Sequence, residues 1–188
     1  MARRRQDGDN AAMPDAPPPP PPPFVPAPLP DNEAERLRAL RDLMLLDTSP
    51  EERFDRVVRF AAEQLDAPMA LVSLVDEQRQ WFKSRIGIAL EETARDISFC
   101  AHAILQPEVF IVEDARLDHR FAGNPMVTGE AHIRFYAGAP LQAPGGERIG
   151  TLCVLDTEPR ALNGTEIAVL HALQQLINEA IAGEEGEP

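Results

Sequence analysis

Apolar and polar positions alternate with a period of two along two neighbouring stretches inside Ile133 to Arg160, IRFYAGAPLQAPGGERIGTLCVLDTEPR. In the first, Phe135, Ala137, Ala139 and Leu141 share one parity while Tyr136 and Gly138 take the other; in the second, Leu152 and Val154 oppose Thr151, Cys153 and Leu155. Successive side chains of a strand point to opposite sheet faces, so each stretch predicts a strand with two dissimilar faces. Ala143-Pro144-Gly145-Gly146 supplies turn chemistry between them and predicts a hairpin whose loop is longer than two residues.

A short apolar run predicts a buried strand over Ala70 to Val75, joined through Asp76-Glu77-Gln78-Arg79 to a second strand near Gln80 to Arg85, and another strand is predicted at Val109 to Val112. Helical spacing governs the ends of the chain. Asp31 and Asn32 offer a cap for a helix with Leu37, Leu40, Leu43 and Met44 as its apolar stripe, ending near Asp47. Ser49-Pro50-Glu51-Glu52 predicts a capped start for a second helix, buried through Phe54, Val57, Val58, Ala61 and Leu65. Ser98 predicts the cap of a short helix through Leu105. Gly87 to Arg95 reads as a polar loop, and Arg116 to Glu130 as loop with a helical turn at His119 to Ala122.

Asn163-Gly164-Thr165-Glu166 predicts the start of a long closing helix carrying Ile167, Leu170, Leu173, Leu176, Ile177 and Ile181. That is more apolar surface than one thin stripe needs, so part is expected to pack on the sheet and part to meet a second subunit beside the first helix.

Composition adds the boundaries. The 188 residues suit one domain plus tails. Residues 1–31 hold Arg3, Arg4 and Arg5, an unbroken proline run from Pro17 to Pro23, and then Pro26, Pro28 and Pro30; they are expected to form a disordered, solvated proline-rich tail. Residues 32–183 form the expected domain and 184–188 an acidic C-terminal tail. No apolar run approaches the ~20 residues of a spanning helix, and no secretory apolar segment follows the arginines, so a cytoplasmic protein without membrane partners is expected. A formal net charge of -13 disfavours nucleic acid, whose phosphates require clustered Lys and Arg. Two cysteines give neither a disulfide framework nor a CxxC metal spacing, and both are expected as reduced thiols.

The hairpin runs, taken with Ile97-Ser98-Phe99-Cys100-Ala101-His102-Ala103-Ile104 and Val112-Glu113-Asp114-Ala115, resemble the GAF domain, a small sensory module. The likeness covers about residues 34 to 182. It is strongest to the GAF domains that accompany bacterial sensor histidine kinases and diguanylate cyclases, which carry similar SFCAHAI, RFYAGAPL and IGTLCVLD runs. The resemblance implies an α+β (α/β sandwich) fold: an antiparallel sheet with the N- and C-terminal helices on one face and loops and short helices over the other. It places any ligand pocket between one sheet face and the segment from Phe99 to Tyr136, with Trp81, Lys83, Phe99, Cys100, Asp114, Phe121, Tyr136 and Cys153 as expected ligand-binding residues.

Catalytic chemistry finds little support in the residues. On a helix Cys100 and His102 diverge by ~200°, which prevents a Cys-His nucleophilic pair. One GAF branch reduces free methionine sulfoxide, and Cys100 falls near one of its cysteines. That branch's second cysteine is expected near residues 118 to 134, where none occurs, and Cys153 in the following strand is an awkward substitute for a resolving thiol. Ala101 interrupts the Cys-His pair on which other GAF branches hold linear tetrapyrroles, and the Asn-Lys-Phe-Asp-Glu set of the cyclic-nucleotide branch is not found as a motif. His102, His119, His132 and His171 show no metal spacing. Asp96, Asp114, Asp118 and Asp156 are expected to pair with Arg95, Arg116, Arg120, Arg134 or Arg160 in ordinary ion pairs.

The function implied is a non-enzymatic regulatory module of bacterial signal transduction. Its expected partners are a small-molecule ligand, a second copy of the chain or a separate signalling protein on which it acts in trans; no cofactor is named. The alternatives are a thiol-dependent reductase of the free methionine sulfoxide reductase type and a ligand-free domain that serves only as a dimerisation or docking piece; a closed cavity filled with large side chains would count against sensing and for the latter.

Overall fold

Six strands pair antiparallel in the order β3-β2-β1-β6-β5-β4 in the computed structural model, which describes residues 23–183. They are β1 (Met69–Val75), β2 (Arg79–Ile86), β3 (Glu92–Ala94), β4 (Phe110–Val112), β5 (Phe135–Gln142) and β6 (Arg148–Asp156). The helices are α1 (Glu33–Asp42), α2 (Glu52–Gln64), α3 (Phe99–Ala103), α4 (Pro125–Thr128) and α5 (Gly164–Ala182). Arg3 to Arg5, most of the proline run and the acidic tail lie outside the described residues.

The alternation seen in the sequence sorts the strand side chains into two cores. Ala70, Val72 and Leu74 of β1, Phe135 to Leu141 at alternate positions of β5, and Leu152 and Val154 of β6 face Leu40 of α1, Phe54, Val58 and Ala61 of α2, and Leu170, Leu173 and Ile177 of α5. The opposite parity, including Met69, Leu71, Val75, Phe82, Tyr136, Cys153 and Leu155, meets α3 and the segment that follows it. β1 and β6 lie at the centre of the sheet, covered on both faces, so their runs are almost continuously buried.

Two bulges adjust this pattern. Leu141 pairs with Gly150 while Gln142 pairs with Arg148, so Ile149 is an extra residue and joins the helix-facing core three positions before Leu152. Val72 pairs with Ser84 while Ser73 pairs with Phe82, leaving Lys83 as the extra residue in β2.

Several boundaries differ from expectation. α1 ends at Asp42 instead of near Asp47, because Met44 and Asp47 adopt left-handed backbone with φ of 51° and 57°; Met44 projects into solvent. α2 has no side-chain cap. The helix starts after Glu51 instead of Ser49, and the Glu52 carboxylate accepts from Arg59. Lys83 gathers the residues just before it: its ammonium bonds to Thr48 Oγ1 at 2.6 Å and the Ser49 carbonyl at 2.8 Å, and pairs with Glu51 at 2.6 Å. A buried ammonium requires such partners. The expected polar loop contains the short edge strand β3, and α4 follows the expected turn, started by Asn124 Oδ1, which accepts from Met126 N–H at 2.8 Å.

The end of the proline-rich segment differs from the free tail its composition predicts. Val25 N–H donates to the Arg120 carbonyl at 2.9 Å, its carbonyl is 3.0 Å from His102 Nε2, and Ala27 leans on the α3-facing core.

Candidate functional site

Five of the eight expected site residues converge between the sheet and α3. Phe99 stacks on Phe121 with centroids 4.0 Å apart and planes 8° from parallel, and Tyr136 follows at 5.3 Å from Phe99. Phe110 closes the aromatic cluster 6.0 Å from Tyr136, and the His102 ring meets the Phe121 ring at 4.9 Å edge to face. These rings fill the space where the resemblance locates a pocket. Offset stacks and edge contacts of this kind add about 0.5–1.5 kcal/mol each beyond burial.

Behind the rings lies a buried knot of sulfur and hydroxyl groups. Ser98 Oγ accepts from Ala101 N–H at 3.0 Å, which starts α3 and turns Cys100 toward the sheet. Cys100 Sγ lies 3.9 Å from Cys153 Sγ; Thr151 Oγ1 donates to it at 3.1 Å and the Tyr136 hydroxyl at 3.4 Å. Tyr136 reaches this position because its ring lies over Gly138, where a Cβ would come within 2.1 Å of the phenol oxygen. Burial pushes the Cys100 thiol up, but hydrogen bonding from Cys153, Thr151, Tyr136 and Ser73 more than offsets it and leaves the thiol easier to ionise than a free cysteine. Burial and the adjacent Cys100 raise Cys153, so Cys100 is the thiol of the pair that loses its proton first. Burial likewise keeps Tyr136 protonated, as a donor.

Cys153 therefore stands closer to Cys100 than its strand position suggested. β6 holds Cys153 opposite Gly138, and the missing side chain there leaves room for both sulfur atoms and the phenol. His102 is excluded from this chemistry: it turns to Val25, and burial lowers its pKa.

The other three expected residues lie elsewhere. Trp81 and Lys83 face the helices, Trp81 packing beside the α2 core and Lys83 held by the residues before α2. They border a shallow groove of about 160 Å³ with Thr48, Pro50 and Glu91. Asp114 sits at the surface, where Arg116 binds its carboxylate at 2.7 Å and holds it below the usual carboxylate range.

Sequence reasoning passed over Thr151, Ser73 and Gln80. Ser73 and Thr151 are register partners on adjacent central strands, and Gln80 Oε1 receives the hydroxyls of Ser73 at 3.4 Å and Ser98 at 2.5 Å. The signal was present: Ser73 and Thr151 are polar positions on the same face as Cys153 in otherwise apolar strands. Among the described residues no buried side-chain nitrogen or oxygen lacks a hydrogen-bond partner, and no group of three or more His, Cys, Asp or Glu is placed to hold a metal ion. No described helix is long and apolar enough to cross a membrane.

The profile of the GAF domain family matches residues 49–181. A cyclic di-GMP phosphodiesterase of Pseudomonas aeruginosa is 44% identical over 151 residues, a stretch covering 80% of this chain and 26% of that protein, so the chain spans about a quarter of that relative. The crystal structure of the GAF domain from an Acinetobacter phosphoenolpyruvate-protein phosphotransferase shares the fold with a TM-score of 0.56 at 17% identity, over 78% of this chain and 92% of that one. Free methionine-R-sulfoxide reductase from Neisseria meningitidis, solved with its substrate, shares it with a TM-score of 0.56 at 15% identity, over 84% and 94%. The helix-backed antiparallel sheet and the residues matched by the family profile lead to one conclusion: this chain belongs to the GAF domain family.

Proposed function

We propose that the chain is a non-enzymatic regulatory GAF module of bacterial signal transduction, with residues 32–183 as the working domain and 1–31 and 184–188 as its tails. The supporting observation is the closed interior: Cys100 and Cys153 are 2% and 0% exposed, and the rings of Phe99, Phe121 and Tyr136 occupy the space a substrate would need. Turnover requires a substrate within reach of its nucleophile, and that geometry is absent from the packed arrangement.

Regulation needs only two arrangements with different affinities. The filled interior counts against a preformed ligand pocket and for the docking role, so any small molecule that acts between α3 and the sheet must displace the Phe99–Phe121 stack, making binding and rearrangement one event. The change passes through the central strands to α2 and α5, which present it to a second copy or a separate protein. The cyclic di-GMP phosphodiesterase among its relatives names the class of enzyme such a module would serve.

One feature favours a second reading, a thiol-dependent reductase: the two sulfurs are in contact. An assay of free methionine sulfoxide reduction under a thiol reductant separates them. The regulatory reading expects no turnover above a Cys100→Ser control; robust turnover abolished by that substitution would replace it with the reductase. Native mass spectrometry of freshly purified protein tests for a retained small molecule, whose mass would identify the input.

A further inference from the structure

Cys100 and Cys153 come from α3 and β6, 53 positions apart, and the fold brings their sulfurs to 3.9 Å in a pocket that supplies hydroxyl donors to one of them. The chain has no other cysteine. We propose that this pair is a peroxide-responsive dithiol that closes to an intramolecular disulfide and so fastens α3 to the centre of the sheet. The chemistry is stoichiometric and independent of the regulatory reading: it requires no substrate pocket and holds whatever the module controls.

Asymmetry between the thiols gives each its part. Thr151 and Tyr136 direct hydrogen bonds at Cys100 Sγ, which stabilise its thiolate, while Cys153 stays a protonated neighbour. The Cys100 thiolate attacks one oxygen of hydrogen peroxide; the O–O bond breaks and hydroxide leaves, taking up a proton to become water. The resulting sulfenic acid is attacked by the Cys153 sulfur, which gives up its proton as the S–O bond breaks and a second water forms. In balance, two thiols lose two hydrogens and two electrons, and one peroxide becomes two waters. A dithiol reductant returns the two electrons and both hydrogens.

Size decides which oxidant reaches the pair. Hydrogen peroxide has two heavy atoms and passes through local openings of the interior, whereas glutathione disulfide does not. α3 has five residues, all buried and held by the Ser98 cap, the Phe99–Phe121 stack and the contact of His102 with Val25, so peroxide reaches the pair only through a transient opening of this short segment. Closure shortens the sulfur separation from 3.9 Å to about 2.05 Å and draws α3 toward β6.

The full chain, reduced, desalted and exposed to hydrogen peroxide, tests this by alkylation under denaturing conditions and peptide mapping. The expected result is a monomeric chain with both cysteines protected, a Cys100–Cys153 linked peptide, full reversal by dithiothreitol, and a Tm raised by roughly 5–15 °C in the oxidised form. Cys153→Ser should accumulate a sulfenic acid at Cys100 that dimedone traps. Tyr136→Phe, which keeps the ring stack and removes the donor, should move the pH profile of oxidation upward. Two cysteines still open to alkylation, a linkage between two chains, or over-oxidised Cys100 without a linked peptide would each overturn the proposal in the wild-type protein alone, whether or not either variant folds.

Discussion

Gly150 shows how one missing side chain sets the geometry of the centre. A Cβ at this position would stand 2.0 Å from the Ser73 carbonyl oxygen, a backbone atom of the neighbouring central strand. The chain has no flexible group to move aside there. Gly150→Ala is therefore expected to lower stability by about 1–3 kcal/mol, the range for overpacking a buried site, measured by urea denaturation of both proteins. An unchanged midpoint would mean that β1 and β6 yield more easily than their pairing implies. Glu33 makes an electrostatic counterpart. Its carboxylate bonds Arg36 at 2.8 Å and Arg95 at 2.6 Å, and Arg36 Nη1 donates to the Val75 carbonyl at 2.6 Å, so one acid ties α1 to the end of β1 and the turn before α3. Burial alone would raise its pKa; the two guanidinium groups win and hold it at about 2, against an ordinary value of 4.5. A carboxyl whose folded pKa is depressed contributes stability that is complete above the unfolded value and lost as pH falls through the folded one. This contribution should thus disappear between pH about 4.5 and 2. Glu33→Gln should cost about 1–2 kcal/mol at pH 7, a figure reduced for solvent screening, and flatten that acid dependence. Denaturation midpoints at pH 7 and pH 3 check both parts.

At the scale of elements, α5 and α2 present opposite outcomes of the same kind of sequence signal. Asn163 and Glu166 form the reciprocal cap that their spacing predicts: Asn163 Oδ1 accepts from Thr165 and Glu166 N–H at 2.9 and 3.0 Å, and Glu166 Oε2 accepts from Asn163 N–H at 2.7 Å. Asn163→Ala should cost about 1 kcal/mol, readable as a lower thermal midpoint with α5 still formed. An equivalent signal at Ser49 failed: the N-cap of α2 falls two residues later, at Glu51, the Glu52 carboxylate turns to Arg59, and Lys83, at a bulge, holds the Ser49 carbonyl and Glu51. Local spacing carries caps whose partners are local and is silent on a distant ammonium. The same rule explains the rest of what was readable. Alternation located β5 and β6 and divided their faces, since burial on a sheet follows parity, while apolar runs located β1 and β4 and the turn after β1 located β2. The sequence held no hint of β3, whose three residues, Glu92–Ala94, include no large apolar side chain and pair on one side only. At the candidate site, Phe99, Cys100, Phe121, Tyr136 and Cys153 were placed together by resemblance. Trp81 and Lys83 were misplaced although their shared parity, opposite to Phe82, already put them on the other face.

For the whole molecule, the sheet separates two cores, and on the proposed regulatory reading these would be an input side and an output side. α3 and the rings cover one face; α1, α2 and α5 cover the other, and the central strands β1 and β6 belong to both cores. A shift of α3 against Cys153 is felt by Leu152 and Val154, the next residues of the same strand, which press on the helices. On the proposed reading the helices are where such a shift would meet a partner. α2 and α5 pack side by side, and each leaves a large apolar side chain in solvent: Phe60 is 46% exposed and Leu176 50%. Neither belongs to the buried core. A second copy of the chain, meeting these helices across a two-fold axis, would cover both residues with the same pair from its partner. Light scattering during gel filtration should then give twice the chain mass, and Phe60→Glu combined with Leu176→Glu should halve it while circular dichroism stays unchanged. A wild-type monomer at tens of micromolar would move the output from self-association to a separate protein, leaving the helix face in place and changing its occupant.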